Sequence, residues 1–171
     1  SMAMIWSRSS AAVSKSRRSD AASIFSRSFS GQIQDFLGNF IDTHAQKELT
    51  AADFMRSGVS TVSARRGVNE CVSKMQRRNV DTLIVVDDQD RYQGTVSIAD
   101  IRLTGHVVKT IEPLIRCNTP TVHTGDSAKD CFDLLISSGA PYLIVLNEEE
   151  KVDGIITKTS MTSAMAEQLW G

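Results

Sequence analysis

The sequence lacks the long apolar run that a membrane-spanning helix needs. Of its 171 residues 41% are hydrophobic, yet they never form a continuous apolar stretch of about 18 residues. Cysteine is also scarce: Cys71, Cys117 and Cys131 form no CxxC pair and have no histidine at metal-ligand spacing. An odd, scattered set of cysteines indicates a reducing compartment and argues against disulfides or a zinc site.

An excess of charge of one sign is absent too, and so are the common catalytic motifs. The net charge of -1 gives no overall basicity that would point to nucleic acid. The chain has no GxxxxGK[ST] phosphate loop, no GxSxG elbow, no HExxH and no EF-hand loop. His44, His106 and His123 are dispersed, which predicts surface or loop positions and no Ser-His-acid set. We therefore predict a chain that is not an enzyme and has no cofactor of its own.

The first 30 residues are basic and rich in Ser, Ala and Arg. They carry five basic side chains and one acid, and three interpretations remain open. The composition is typical of a mitochondrial-type transit segment, which would place the protein in an organelle. It also suits a basic amphipathic helix with Ile24, Phe25 and Phe29 on one side. The third interpretation is a flexible leader, with Ser1-Met2 resembling a remnant of cloning. Residues 33–49 predict a short helix or turn that Gly38 interrupts, so that residues 1–49 form a partly helical leader or linker.

The remainder of the chain repeats itself with a period of 60 residues. Shifted by that distance without a gap, the sequence places Cys71 on Cys131 and Gly94 on Gly154. The triplet LIV at 83–85 falls on the same triplet at 143–145. Such an ungapped match indicates two copies of one supersecondary unit.

Each copy predicts the same order of elements. A helical turn precedes a short strand, an amphipathic helix, a strand that is apolar on both faces, a third strand and a last helix. The acidic runs 87–90 and 148–150 predict solvated hairpin turns, or alternatively an ionic-strength sensor. One copy of about 55 residues buries too little surface to fold alone. We predict an α/β (α+β) fold of two β-α-β-β-α repeats, residues 50–109 and 110–171, packed with pseudo-twofold symmetry.

One short phrase occurs in both copies, complete in the first and altered in the second. GTVSIAD covers 94–100, whereas GIITKTS at 154–160 ends in Ser160 where the first copy has Asp100. Together with the repeat, the first phrase resembles the nucleotide-binding motif of the CBS domain, Gly-x-x-Ser/Thr-x-x-Asp. Residues 50–169 thereby resemble a CBS pair, or Bateman module. The end of the chain and IQDFLG (33–38) are similar to the C-terminal part of the ATP-binding subunits of glycine betaine/carnitine/choline ABC transporters.

The residue types of the phrase suit a nucleotide. Gly94 has no Cβ and would let a ligand approach the backbone. The Ser97 hydroxyl would hold a phosphate, or simply cap a helix. Asp100 would accept two hydrogen bonds from ribose hydroxyls, or only interact with the helix dipole. Since Ser160 lacks the charge, the second half-site is predicted to bind AMP or ATP poorly. The nucleotide set comprises Gly94, Ser97, Asp100, Thr61, Thr82, Thr157 and Lys158.

The resemblance to the transporter subunits implies a second mode, in which cyclic di-AMP binds at a dimer interface. The residues implied are Val80, Thr82, Tyr142, Ile155, Thr157, Lys158 and Thr159. Tyr142 would stack on adenine, and Lys158 would meet a phosphate as a point charge. Alternatively, Tyr142 and Ile155 are ordinary buried residues.

The resemblance also implies a regulatory function. The module would sense AMP, ATP or cyclic di-AMP, form a homodimer and bias the ATPase domain and permease of an osmoprotectant transporter at the inner face of the cell membrane. Two alternatives stay open: a stand-alone CBS-pair protein that binds adenosyl ligands, and a structural dimerisation module with empty pockets.

Overall fold

The computed structural model describes residues 20–43, 49–104 and 106–170, which contain six α-helices and two three-stranded sheets. The first repeat consists of α2 (Ala51–Phe54), β1 (Thr61–Ser63), α3 (Val68–Arg78), β2 (Thr82–Val86), β3 (Tyr92–Ser97) and α4 (Ile98–Thr104). The second has a 3-10 helix (Glu112–Leu114), β4 (Thr121–His123), α5 (Ala128–Ser138), β5 (Leu143–Leu146), β6 (Val152–Ile156) and α6 (Lys158–Trp170). A long helix, α1 (Asp20–Thr43), precedes both.

The two sheets have the same topology and registers that differ by 60 residues. In each, the first strand pairs parallel to the second and the second pairs antiparallel to the third. Val62 lies opposite Val85 in the first sheet, and Val122 lies opposite Val145 in the second. Acidic turns join β2 to β3 and β5 to β6, as predicted. The predicted pair of β-α-β-β-α repeats is therefore confirmed.

The helices of the two repeats begin and end with local signals that the sequence carries. Ser127 caps α5 by accepting a hydrogen bond from the Asp130 amide. Helix α3 ends at Asn79 and α5 ends at Gly139, both with left-handed backbone angles. Their inner faces bury the two cysteines that the 60-residue shift places on each other, Cys71 and Cys131, which are both 0% exposed. Cys131 is a core residue, and its burial raises the pKa of the thiol to about 12.

The opening segment of each repeat packs on the other repeat. Ala51 and Phe54 lie in the apolar core of the second repeat, whereas Ile111 lies in the core of the first. Isolated backbone bridges join each opening segment to the other repeat. They occur in two pairs that are related by the 60-residue shift. These bridges are Thr50–Ser127 with Gly67–Thr110, and Arg56–Ile155 with Thr95–Arg116. The repeats are thus intertwined, and a third apolar cluster, which includes Ile84, Ile144 and Tyr142, joins the sheets.

Helix α1 corrects the prediction for residues 33–49. It is continuous from Asp20 to Thr43, so Gly38 does not interrupt it. A glycine inside a helix costs about 1 kcal/mol relative to alanine. Here Gly38 faces the Phe132 ring, because a Cβ at this position would lie 3.6 Å from Phe132 Cε1. Leu37, Phe40 and Ile41 join the core of the second repeat, which fixes α1 on α5 and α6. Residues 1–19, with most of the basic segment, lie outside the described residues.

Candidate functional site

A cavity of about 520 Å³ lies between the two repeats, at the ends of β2 and β3. The first repeat supplies the polar side chains of Thr82, Thr95, Ser97 and Asp100. The second supplies the turn after α5 and part of residues 115–120, which we call the crossing segment because it pairs with β3 of the first repeat. Its lining residues are Arg116, Asn118, Thr119, Pro120, Ser138, Ala140, Pro141 and Tyr142. Three of the predicted nucleotide residues, Thr82, Ser97 and Asp100, are thereby brought together.

Ser97 and Asp100 lie where β3 passes into α4. The Ser97 hydroxyl accepts a hydrogen bond of 3.2 Å from the Asp100 amide, which is the geometry of a helix N-cap. This bond fixes the start of α4 and directs the Asp100 side chain across the cavity wall. Asp100 retains 16% side-chain exposure, so its carboxylate is within reach of a ligand in the cavity.

The Asp100 carboxylate forms a bidentate ion pair with Arg116. Arg116 Nε lies 2.7 Å from Oδ2 and Nη2 lies 3.1 Å from Oδ1. The hydrogen bonds from this guanidinium hold the pKa of Asp100 below its ordinary value, and Asp100 raises the pKa of Arg116 in turn. Sequence reasoning missed Arg116. The signal was available, because the 60-residue shift places Arg56 on Arg116.

Gly94 gives room to the backbone of Arg116. The sequence predicts a different role for this glycine, namely to let a ligand approach the backbone. The Thr95 and Arg116 amides each donate to the other's carbonyl, at 2.8 and 2.9 Å. A Cβ on Gly94 would lie 2.6 Å from the Arg116 carbonyl oxygen and 2.6 Å from Ile115 Cγ2. Its φ of 151° is also one that glycine adopts readily. The space above Gly94 is therefore filled by the crossing segment.

The equivalent place in the second repeat is closed by its own hydroxyl groups. The Ser160 hydroxyl accepts from the Thr157 amide at 2.9 Å, and the Thr157 hydroxyl accepts from the Ser160 amide at 2.9 Å. Both residues are only 3% exposed. Arg56, the counterpart of Arg116, donates to the Ser163 hydroxyl at 3.0 Å. Gly154 contacts the Arg56 carbonyl oxygen just as Gly94 contacts that of Arg116.

The residues implied for cyclic di-AMP lie in several different environments. Thr82 and Tyr142 line the cavity between the repeats. Val80 and Ile155 are buried in two different apolar clusters. Thr157 belongs to the closed cap, while Lys158 and Thr159 are exposed on α6.

Tyr142 presents a mostly buried ring to this cavity. It is 6% exposed and belongs to the apolar cluster that joins the sheets. Burial raises the pKa of its hydroxyl, and a hydrogen bond with Thr119 opposes that rise. Thr119 and Tyr142 thus add an apolar ring and a fixed hydroxyl to the lining that also contains the Asp100–Arg116 pair.

Thr61 lies apart from the other predicted nucleotide residues. It borders a second depression, of about 950 Å³, along α3. Lys74 Nζ donates a hydrogen bond of 2.6 Å to the Thr61 carbonyl oxygen there. Cationic side chains dominate this depression, and Glu70 is its one acid.

The described part of the chain has neither a membrane-spanning helix nor a cluster of metal ligands. No helix within residues 20–43, 49–104 and 106–170 is long and apolar enough to cross a membrane. Over the same ranges, no three His, Cys, Asp or Glu side chains come together in a way that would hold a metal ion. Of the histidines, His106 and His123 are exposed, whereas His44 lies outside the described residues.

Comparisons with known proteins agree with this architecture. The model of the CBS domain matches residues 51–104 and again residues 108–167. The carnitine transport ATP-binding protein OpuCA of Listeria monocytogenes is 23% identical over 140 residues, which is 81% of this chain and 35% of that protein. The chain thus spans about a third of the length of this relative.

Two solved structures have the same fold. Staphylococcus aureus OpuCA superposes with a TM-score of 0.59 at 20% identity, covering 67% of this chain and 97% of that one. CBSX2, crystallised in complex with AMP, superposes with a TM-score of 0.61 at 22% identity, covering 71% of this chain and 98% of that one.

Proposed function

Because the chain belongs to the CBS domain family, with one domain in each repeat, we propose that it is a regulatory module and not an enzyme. Its ligand is an adenine nucleotide, AMP or ATP, bound in the cavity between the repeats. The observation that carries this proposal is the cavity lining, which places the Ser97 hydroxyl, the Asp100 carboxylate and the Arg116 guanidinium on one wall. The structure of CBSX2 with AMP supports the choice of ligand.

Each part of the cavity suits one part of such a ligand. The Asp100 carboxylate accepts hydrogen bonds from the two ribose hydroxyls, and charge assistance makes these bonds strong. The Ser97 hydroxyl donates to a polar oxygen of the ligand, and the Thr82 hydroxyl, which donates to Asp81 Oδ1 at 3.3 Å, accepts from the ligand. The Tyr142 ring and Pro141, which line the same cavity, offer an apolar surface for the adenine.

Only the first half-site has the serine and the carboxylate of this motif, Ser97 and Asp100, so we expect one nucleotide per chain. In the second repeat Ser160 replaces the acid, and it forms a reciprocal cap with Thr157. Those hydroxyls accept from each other's backbone amides and are nearly fully buried, and no carboxylate stands at the position equivalent to Asp100 to bind a ribose.

The position of the cavity supports a regulatory output through α1. Ser138, the last residue of α5, lines the cavity, and Phe132 of the same helix packs on Gly38 of α1. A nucleotide that favours one position of α5 therefore biases the position of α1. The shift it produces is limited by its differential affinity for the two arrangements.

The partner we propose is the ATPase domain and permease of an osmoprotectant ABC transporter at the inner face of the membrane. The similarity to the ATP-binding subunit OpuCA supports this choice. Co-purification of the full-length gene product with a permease is the test of the partner. A stand-alone CBS-pair protein would copurify with none.

A homodimer is also proposed, and the charges of the two repeats support it. Cations line the depression along α3, at Arg66, Lys74, Arg77 and Arg78. The equivalent positions of the second repeat, 126, 134, 137 and 138, carry no cation. Helix α5 exposes Asp130 and Asp133, and its cation Lys129 is paired with Asp42. A twofold axis that places α3 of one copy against α5 of the next matches opposite charges twice. Sedimentation should show a dimer that Arg77→Glu weakens and that the swap Arg77→Glu with Asp133→Arg restores.

Thermal unfolding with AMP, ATP, cyclic di-AMP and S-adenosylmethionine tests the ligand. At one hundred times Kd a ligand stabilises the folded chain by about 2.7 kcal/mol, which raises Tm by roughly 5–10 °C. We expect AMP or ATP to produce this shift and Asp100→Ala to reduce it. A shift with cyclic di-AMP alone would favour the transporter-type dimer mode, since Thr82 and Tyr142 of that set also line the cavity. No shift with any ligand would leave a structural module.

A further inference from the structure

The two charged groups of the cavity wall have each other as partners. Asp100 and Arg116 share two hydrogen bonds, of 2.7 and 3.1 Å, and both line the cavity. A ribose that takes both Asp100 oxygens must break at least part of this pair. The guanidinium that is released can then pair with another anion, and a nucleotide phosphate is one.

The pair is suited to exchange rather than to holding the fold together. The Arg116 side chain is 64% exposed, and ion pairs of such exposure contribute little to stability. The Arg116 backbone is fixed separately, through its two hydrogen bonds with Thr95 and the close contact of Gly94. The guanidinium can therefore change partner while its Cα stays in place.

The second repeat provides an internal comparison. Arg56 occupies the position equivalent to Arg116, and its backbone is bonded to Ile155 in the same way. With Ser160 in place of the acid, Arg56 turns to the Ser163 hydroxyl. The backbone crossing therefore does not require the acid, and the acid–arginine pair occurs in the repeat whose polar wall lines the cavity.

We propose that Arg116 determines specificity for phosphorylated nucleosides. When the ligand binds, its phosphate replaces the Asp100 carboxylate on the guanidinium, and the released carboxylate takes the ribose hydroxyls. A nucleoside without phosphate breaks the same ion pair and gives the arginine nothing in return. The site therefore selects AMP over adenosine through Arg116. This inference rests on the proposed nucleotide site.

Calorimetric titrations of AMP and adenosine into the full chain test the exchange. In Arg116→Gln, AMP loses a charged partner, and its affinity should fall by at least about tenfold. Adenosine no longer competes with the guanidinium for Asp100, and its affinity should rise by roughly two- to fivefold. Arg116→Lys, which keeps the charge but not the bidentate geometry, should lie between wild type and Arg116→Gln for AMP.

Opposite changes for the two ligands are the diagnostic result, since a purely structural role for Arg116 would lower both affinities. Arg91→Gln is the matched control: Arg91 forms an ion pair of 2.9 Å with Asp87 and does not line this cavity. It should leave both affinities unchanged. Affinities that fall together, or AMP binding that is indifferent to Arg116→Gln, would overturn the exchange while leaving the nucleotide site intact. If neither AMP nor adenosine binds the wild-type chain, the proposed function fails and this inference fails with it.

Discussion

Replacing Gly94 by alanine tests whether the crossing of the chain holds the two repeats together. The new Cβ would lie 2.6 Å from both the Arg116 carbonyl oxygen and Ile115 Cγ2, where ordinary carbon contacts are about 3.5–4.0 Å. The backbone at φ 151° is strained for a residue with a side chain. Strain of this kind costs about 1–3 kcal/mol, and overpacking adds about 1–3 kcal/mol.

Together these terms predict that Gly94→Ala loses about 2–6 kcal/mol of unfolding free energy. Even the lower end should lower Tm by roughly 4–8 °C for a chain of this size. Since the clash displaces the Arg116 carbonyl, AMP affinity should fall as well. Chemical denaturation followed by circular dichroism gives the free energy, and calorimetry gives the affinity.

Two other glycines separate backbone strain from the clash. Gly58 has a φ of 76° with nothing within 4 Å of its added Cβ, so Gly58→Ala should cost only about 1–2 kcal/mol. Gly125 has open space and no left-handed backbone, so Gly125→Ala should be neutral or slightly stabilising. If Gly94→Ala is no less stable than Gly58→Ala, the contact between the crossing segment and β3 does not constrain the fold as we describe.

Three further predictions concern the second repeat and its contacts. Phe54→Ala should cost about 3–5 kcal/mol in chemical denaturation, because Phe54 is 1% exposed in the core of the other repeat. A loss no larger than that of an exposed substitution would contradict this packing. Ser160→Ala should cost about 1 kcal/mol by opening the reciprocal cap with Thr157, with no effect on AMP affinity; weaker AMP binding would show that the second half-site is used. Glu150 raises the pKa of His123 above its ordinary 6.5, so this pair stabilises the fold fully below that pH and less as the pH rises through the folded pKa. His123→Gln should thus lose slightly more stability at pH 5.5 than at pH 8.5, and an equal loss at both would argue against the pair.

The repeat made most of the fold predictable from the sequence. A 60-residue shift that places apolar strands and helix faces on one another also sets the registers of both sheets, as Val62–Val85 and Val122–Val145 show. Asp100 was identifiable because its phrase is short, local and tied to the start of a helix.

The crossing and the ion pair were not predictable from local patterns. The sequence pattern of a helical turn such as residues 51–54 is the same whichever repeat the turn packs on. Only the tertiary contacts show that this turn packs on the core of the second repeat. The sequence shows that Gly94 leaves space beside the backbone, but it does not show which group fills that space. The group is the Arg116 carbonyl, which is 22 positions away in the sequence. Gly38 misled the prediction because helix propensity is weak compared with packing against Phe132.

The central claim is a single nucleotide site built by residues of both repeats. Calorimetric titration of AMP into the wild-type chain and into Asp100→Ala measures it most directly. The account predicts one AMP per wild-type chain and an affinity that falls by at least about tenfold in Asp100→Ala. Two equivalents per chain, no heat of binding, or an affinity that is equal in the two proteins would contradict it.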